Sequence, residues 1–279
     1  MHTKLLFVSI LAIAFFSCDT SGKKGEKADN YSFACLDSAL GGSQVNKTLD
    51  KAGDLFRKIT VDEKSITDEL QNEYGEAFHK DVIESKTFKL LNDAAINANL
   101  KTVMDELLNQ REDGTKIKYY IYAVEDTMIN AFTFGGRIYV TTGMYKKCGG
   151  KTPLLYAIIG HEIGHSELGH IKKTIHEMMV AEKIFGPENA GTALEVTKLL
   201  TGSFNQRNEL EADYYGTDLS NSLNQDVCAA VTFWKEMSKM ENQYNRLEDF
   251  FRTHPFSSLR AECLQRHIAE NFEVTCPIK

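Results

Sequence analysis

Apolar positions between about Ser43 and Asp113 recur at three- and four-residue steps, clearest in Phe88, Leu91, Ala95, Ala98, Val103 and Leu107. That period predicts helix, and Arg111-Glu112-Asp113-Gly114 supplies its stop. The pattern then changes. Ile117–Val124 (IKYYIYAV) and Arg137–Thr142 (RIYVTT) are β-branched and aromatic. Each predicts a strand, with Gly135-Gly136 as the turn before the second. A sheet of about three strands therefore interrupts the helical pattern. Pro153 opens the next helix, at a position that favours proline. From Leu154 to Ile159 this helix is apolar on nearly every side, which predicts burial. Further helices are expected at Lys172–Phe185, Asn189–Leu200, Gln206–Ser220, Asp226–Asn242 and Ser257–Asn271, with breaks at Gly186-Pro187 and Thr201-Gly202-Ser203. The sum is a mostly helical α+β domain with one small β-sheet and no internal repeat.

The first residues stand apart. His2 and Lys4 precede an apolar run, Leu5–Phe16, and then Ser17-Cys18. About a dozen apolar residues are too few to span a bilayer but suit a leader. A small residue directly before cysteine resembles a bacterial lipoprotein signal, which implies lipidation of Cys18 as the first mature residue. Phe15 and Phe16 depart from that pattern, and an ordinary cleaved signal or an uncleaved anchor are the alternatives. Residues 19–30 read as a polar tether. The domain is then expected over 31–279, with its core at about 85–271.

Composition narrows the picture. The 279 residues are 42% hydrophobic and 25% charged, as in an ordinary globular domain. A net charge of −7, without a basic patch carrying interleaved aromatics, argues against nucleic-acid binding. After Cys18 come Cys35, Cys148, Cys228, Cys263 and Cys276, an odd number that leaves at least one free if the others pair. None forms a C-x-x-C pair, which argues against cysteine ligation of a metal.

The buried helix carries the candidate chemistry. HEIGHSELGH, His161–His170, contains H-E-x-x-H. His161 and His165 share one helix face and can hold zinc. Glu162, one step round, can take a proton from a water held there and later return it to a leaving amine. Burying these groups without partners would be costly, and one zinc ion per chain accounts for them. His170 lies about 900° round a continuous helix from His161, on its opposite side. Leu168 favours continuation and Gly169 leaves no room for a turn, so His170 is not expected to be a ligand. A catalytic zinc usually takes a third protein ligand. Glu209 and Asp213, four apart, share a face, while Glu211 points elsewhere. One of the pair can bind zinc while the other accepts the free N–H of a ligand histidine. An exposed acidic face is the alternative.

H-E-x-x-H followed some forty residues on by E-x-E-A-D resembles the HtpX and CAAX prenyl-protease type of zinc metallopeptidase, especially its exported members. INAFTFGGRIYVTTGMY (Ile129–Tyr145), LLYAIIGHEIGHSELGH and RTHPFSSLR (Arg252–Arg260) are similar to three further family segments. Phe134 departs from them, standing where the family usually has proline. The resemblance implies a zincin-like protease domain. It also implies zinc ligands His161, His165 and Glu209, Glu162 as general base, and Asp213 orienting a ligand histidine. His254 would cap the zinc and hold the enzyme inactive, or else stabilise the tetrahedral intermediate; a plain loop histidine is the alternative. Arg260 would anchor that loop.

These features predict a zinc metalloendopeptidase, lipid-anchored in the bacterial cell envelope and facing the periplasm. Its substrates would be unfolded or misassembled proteins, whose extended chains add to the edge of the strand after Gly135-Gly136. The rival expectation is a chaperone-like envelope factor whose zinc site is latent under His254.

Overall fold

The computed structural model describes residues 31–39, 61–111, 115–185, 205–240, 254 and 258–277. The expected leader, Cys18, the tether and the helix at 189–200 lie outside the described residues. Helices α1 (Ala34–Ala39), α2 (Asp68–Ser85) and α3 (Ala94–Leu108) precede the sheet. Thr67 caps α2 and Asp93 caps α3, each through a side-chain oxygen that accepts from first-turn N–H groups.

Strands β1 (Tyr120–Val124), β2 (Ala131–Phe134) and β3 (Arg137–Thr141) form one sheet in the order β1-β3-β2. β1 runs parallel to β3, and β2 pairs antiparallel with it. Gly135 (φ 57°) and Gly136 (φ 79°) make the two-residue turn of the β2–β3 hairpin. The turn presses on α2, because a Cβ on Gly135 would lie 2.3 Å from the Gly75 Cα. Phe134 is fully buried, with its ring centroid 5.3 Å from that of Phe78. The departure from proline therefore supplies a core aromatic and leaves the turn intact. One expectation fails here. The strand after the glycines, β3, is the central one, with both sides paired, so an added chain cannot use it.

Then come α4 (Thr142–Cys148), α5 (Pro153–Glu167), α6 (His170–Phe185), α7 (Gln206–Ser222), α8 (Cys228–Met240) and α9 (Ser258–Phe272). α5 is buried along most of its length, as its apolar run predicts. Its most extensive packing is against α7. The expectation of unbroken helix through His170 is overturned. α5 stops at Glu167, and Gly169, at φ 80°, turns the chain into α6. Glycine adopts that left-handed backbone freely, so the residue read as leaving no room for a turn makes the turn.

Disulfides join Cys35 to Cys263 and Cys228 to Cys276. The first fastens α1 to α9, and the second fastens α8 to the segment after α9. Cys148 is free and buried. Among the described residues no helix is long and apolar enough to cross a membrane.

Candidate metal centre

The site depends on how closely α5 and α7 approach. A Cβ on Gly216 would lie 2.5 Å from the His161 backbone nitrogen, and one on Gly160 2.9 Å from the Gly216 Cα. Any side chain at either position would hold the helices apart. Asn205 caps α7, its own N–H donating in return to Asn208 Oδ1, and places Glu209 in the first turn. The glutamate then spans the short gap to the histidines of α5.

Four side chains converge there. His161 Nε2 and His165 Nε2 are 3.0 Å apart. Glu209 Oε2 lies 3.4 Å from His161 Nε2, and Glu209 Oε1 lies 3.3 Å from His165 Nε2. His254 Nδ1 lies 3.2 Å from His161 Nε2 and 3.1 Å from Glu209 Oε2. All four residues are buried, and their donor atoms lie within 4.8 Å of one another. The other ring nitrogen of His254, Nε2, donates to the Ala131 carbonyl of β2 at 3.0 Å and lies 3.5 Å from Glu162 Oε1. His254 thus links the other three residues of the cluster to Glu162 and to β2, one of the two outer strands of the sheet.

A buried guanidinium faces the carboxylates of α7. Asp213 accepts from His161 Nδ1 at 2.9 Å. Arg260 donates to both Asp213 oxygens, at 2.5 and 2.9 Å, and its Nη1 lies 2.8 Å from Glu209 Oε2. Its guanidinium lies over the Trp234 ring at 4.0 Å. Burial would raise the Glu209 carboxyl, but His254, Arg260 and His165 together hold it well below the usual carboxylate range. Burial pushes Glu162 up, and the lowering influence of His254 and His161 does not cancel it.

The turn at Gly169 brings His170 back onto α5. Its Nδ1 lies 2.9 Å from His165 Nδ1, behind the ring and away from the cluster. Its Nε2 lies 3.0 Å from Glu211 Oε2. His170 is therefore not on the far side of the helix. Glu211 does point away from Glu209, as the helical angle predicts, and His170 is what it meets. Sequence reasoning missed this pair, Trp234 and the two glycines at the helix crossing. The available signal was a glycine directly before a histidine, which permits a sharp reversal.

The donor set suits a divalent ion. Imidazole nitrogens with a carboxylate oxygen are ligands of zinc-like metals. Two buried ring nitrogens 3.0 Å apart have room for one proton between them, so an ion relieves a crowded arrangement. Glu162 Oε2 is buried without a hydrogen-bond partner, an atom free to take a proton.

Comparison with known proteins places the chain among metallopeptidases. The model of peptidase family M48 matches residues 94–268. The metalloprotease LoiP of Escherichia coli (strain K12) is 28% identical over 173 residues, covering 58% of this chain and 66% of LoiP. The human mitochondrial metalloendopeptidase OMA1 is 26% identical over 240 residues, covering 76% of this chain and 44% of its own. The beta-barrel assembly-enhancing protease of E. coli (strain K12) is 22% identical over 189 residues, covering 61% and 38%. The chain thus spans less than two thirds of the length of these relatives.

Proposed function

The chain belongs to peptidase family M48 and carries that family's metalloendopeptidase domain, and from that premise we propose a zinc-dependent endopeptidase acting on misfolded or misassembled proteins of the bacterial cell envelope. The observation that carries the reading is the buried convergence of His161, His165, Glu209 and His254. His161 and His165, through Nε2, and the Glu209 carboxylate would hold one zinc ion. When bound, zinc supplies a Lewis acid that polarises the scissile carbonyl and acidifies water.

The chain's own groups do the rest. Glu162, its carboxyl raised by burial, takes the proton of the attacking water and passes it to the leaving amine. Asp213, held by Arg260, fixes the proton of His161 on Nδ1 and keeps Nε2 directed at the cluster. The extended substrate would pair with β2, the sheet's outer strand beside α5. Such main-chain pairing selects weakly for sequence, which suits unfolded substrates. Two disulfides fit an oxidising compartment, and the leader with Cys18 supports a lipid anchor there. The barrel assembly in a relative's name motivates the envelope substrates.

The test is Glu162→Gln. It is expected to retain one zinc per chain by metal analysis and to lose casein hydrolysis by at least about 100-fold. Hydrolysis at the wild-type rate by the zinc-loaded variant would sink the mechanism.

One observation favours a second reading. His254 occupies a fourth donor position and also bonds the Ala131 carbonyl that a substrate would use. That arrangement suits a chaperone-like factor with a latent site. His254→Ala separates the two: faster casein degradation than wild type supports a self-restrained protease, and none by either protein supports the latent factor.

A further inference from the structure

The two ligand histidines are supported differently. Behind His161 stands a carboxylate, Asp213, 2.9 Å from Nδ1. Behind His165 stands another imidazole. His165 Nδ1 and His170 Nδ1 are 2.9 Å apart, and His170 Nε2 lies 3.0 Å from Glu211 Oε2. Glu211 Oε1 in turn lies 3.4 Å from Arg207 Nε. His165 and His170 are almost wholly buried, at 0% and 4% side-chain exposure, so water does not readily replace these contacts.

Proton placement makes the row directional. If His165 Nε2 gives its lone pair to a metal, the one remaining ring proton sits on Nδ1 and is donated outward. The group it faces at 2.9 Å must then accept, so His170 Nδ1 carries a lone pair and His170 Nε2 carries the proton. That proton points at a carboxylate, which only accepts. Every donor meets an acceptor in this single assignment. The opposite tautomer of His170 would set two N–H groups against each other and leave Glu211 Oε2 without a donor from His170.

We propose that His170 and Glu211 are positioning residues for the metal ligand His165, doing through an imidazole relay what Asp213 does directly for His161. The inference rests on the zinc reading of the site. The Gly169 turn is what places the relay, since α6 begins at His170 itself.

The test is the zinc dissociation constant at fixed pH, measured by competition with a chromophoric chelator. His170→Leu removes the acceptor and is expected to bind zinc about 10- to 100-fold more weakly. His170→Asn sets a carbonyl oxygen near the former Nδ1 and is expected to recover most of that loss. Glu211→Ala, at a partly exposed position, gives the same direction of change if the leucine variant does not fold. In zinc-loaded wild type, nitrogen NMR of the imidazoles is expected to show His170 protonated at Nε2. Leucine and alanine variants that bind as tightly as wild type, or a His170 protonated at Nδ1, overturn the relay and leave the zinc site standing. Wild type that binds no zinc removes the zinc reading, and the relay with it.

Discussion

Arg260 faces two buried carboxylates. It is 1% exposed and contacts both Asp213 and Glu209. Removing one partner of a buried ion pair leaves charge uncompensated and typically costs about 3–5 kcal/mol. Arg260→Gln is therefore expected to lose stability of that order at pH 7 in urea unfolding of the metal-free protein. The pH dependence has a definite sign. Asp213 and Glu209 are held below their ordinary values. Their contribution is full above the usual carboxylate range and is lost as pH falls. The gap between wild type and variant should narrow on going from pH 7 toward pH 4. A gap that widens on acidification would show that Arg260 does not act on these carboxylates. The sequence disclosed Arg260 only through its place in the T-H-P-x-x-x-x-R segment. A lone arginine on a helix has no spacing rule to mark it as buried, and the carboxylates it contacts, Asp213 and Glu209, lie 47 residues away or more.

Helix geometry made α5 and α7 legible. The four-residue spacing of His161 and His165, and of Glu209 and Asp213, survives in the fold because both pairs lie inside regular helix. The same arithmetic failed for His170 because it assumed that α5 continues. In the sheet, β1 and β3 were read from β-branched and aromatic runs, while β2 is short and follows a loop. That is why the free edge of the hairpin was assigned to the wrong side of the Gly135-Gly136 turn. Backbone proximity between distant helices left no mark on periodicity, yet the site depends on it. A Gly216→Ala methyl would meet Gly160 C at 2.6 Å and His161 N at 2.5 Å, atoms that cannot rotate away. The helices must separate, and overpacking of this kind costs about 1–3 kcal/mol. Gly216→Ala is expected to melt at lower temperature and to bind less than one zinc per chain. At Gly164 the contact with Ala212 is 3.1 Å, so Gly164→Ala should be the milder change. Equal zinc content and stability in Gly216→Ala would refute the close crossing.

Cysteine chemistry links the domain to its surroundings. The odd count was visible in sequence, but the pairing was not, because Cys35 and Cys263 are 228 residues apart and are joined only by the packing of α1 on α9. That bond closes nearly the whole domain on itself and fastens α9, the helix that carries Arg260. In the chain-entropy picture a closed loop of this length contributes about 5 kcal/mol, and the 48-residue loop between Cys228 and Cys276 about 4 kcal/mol. Cys148 is different: burial pushes its thiol up to about 12, leaving roughly one thiolate in ten thousand at pH 8. Thiol titration of the mature protein at pH 8 without reductant should therefore find none while folded and one after unfolding. Five would mean that neither disulfide had formed, against an oxidising compartment. Two would mean that the Cys18 sulfur is free, against the lipid anchor. One thiol is the count expected of an exported, oxidised and acylated protein, and reducing the disulfides should lower the denaturant midpoint before it changes zinc content, since no cysteine lies among the four converging side chains.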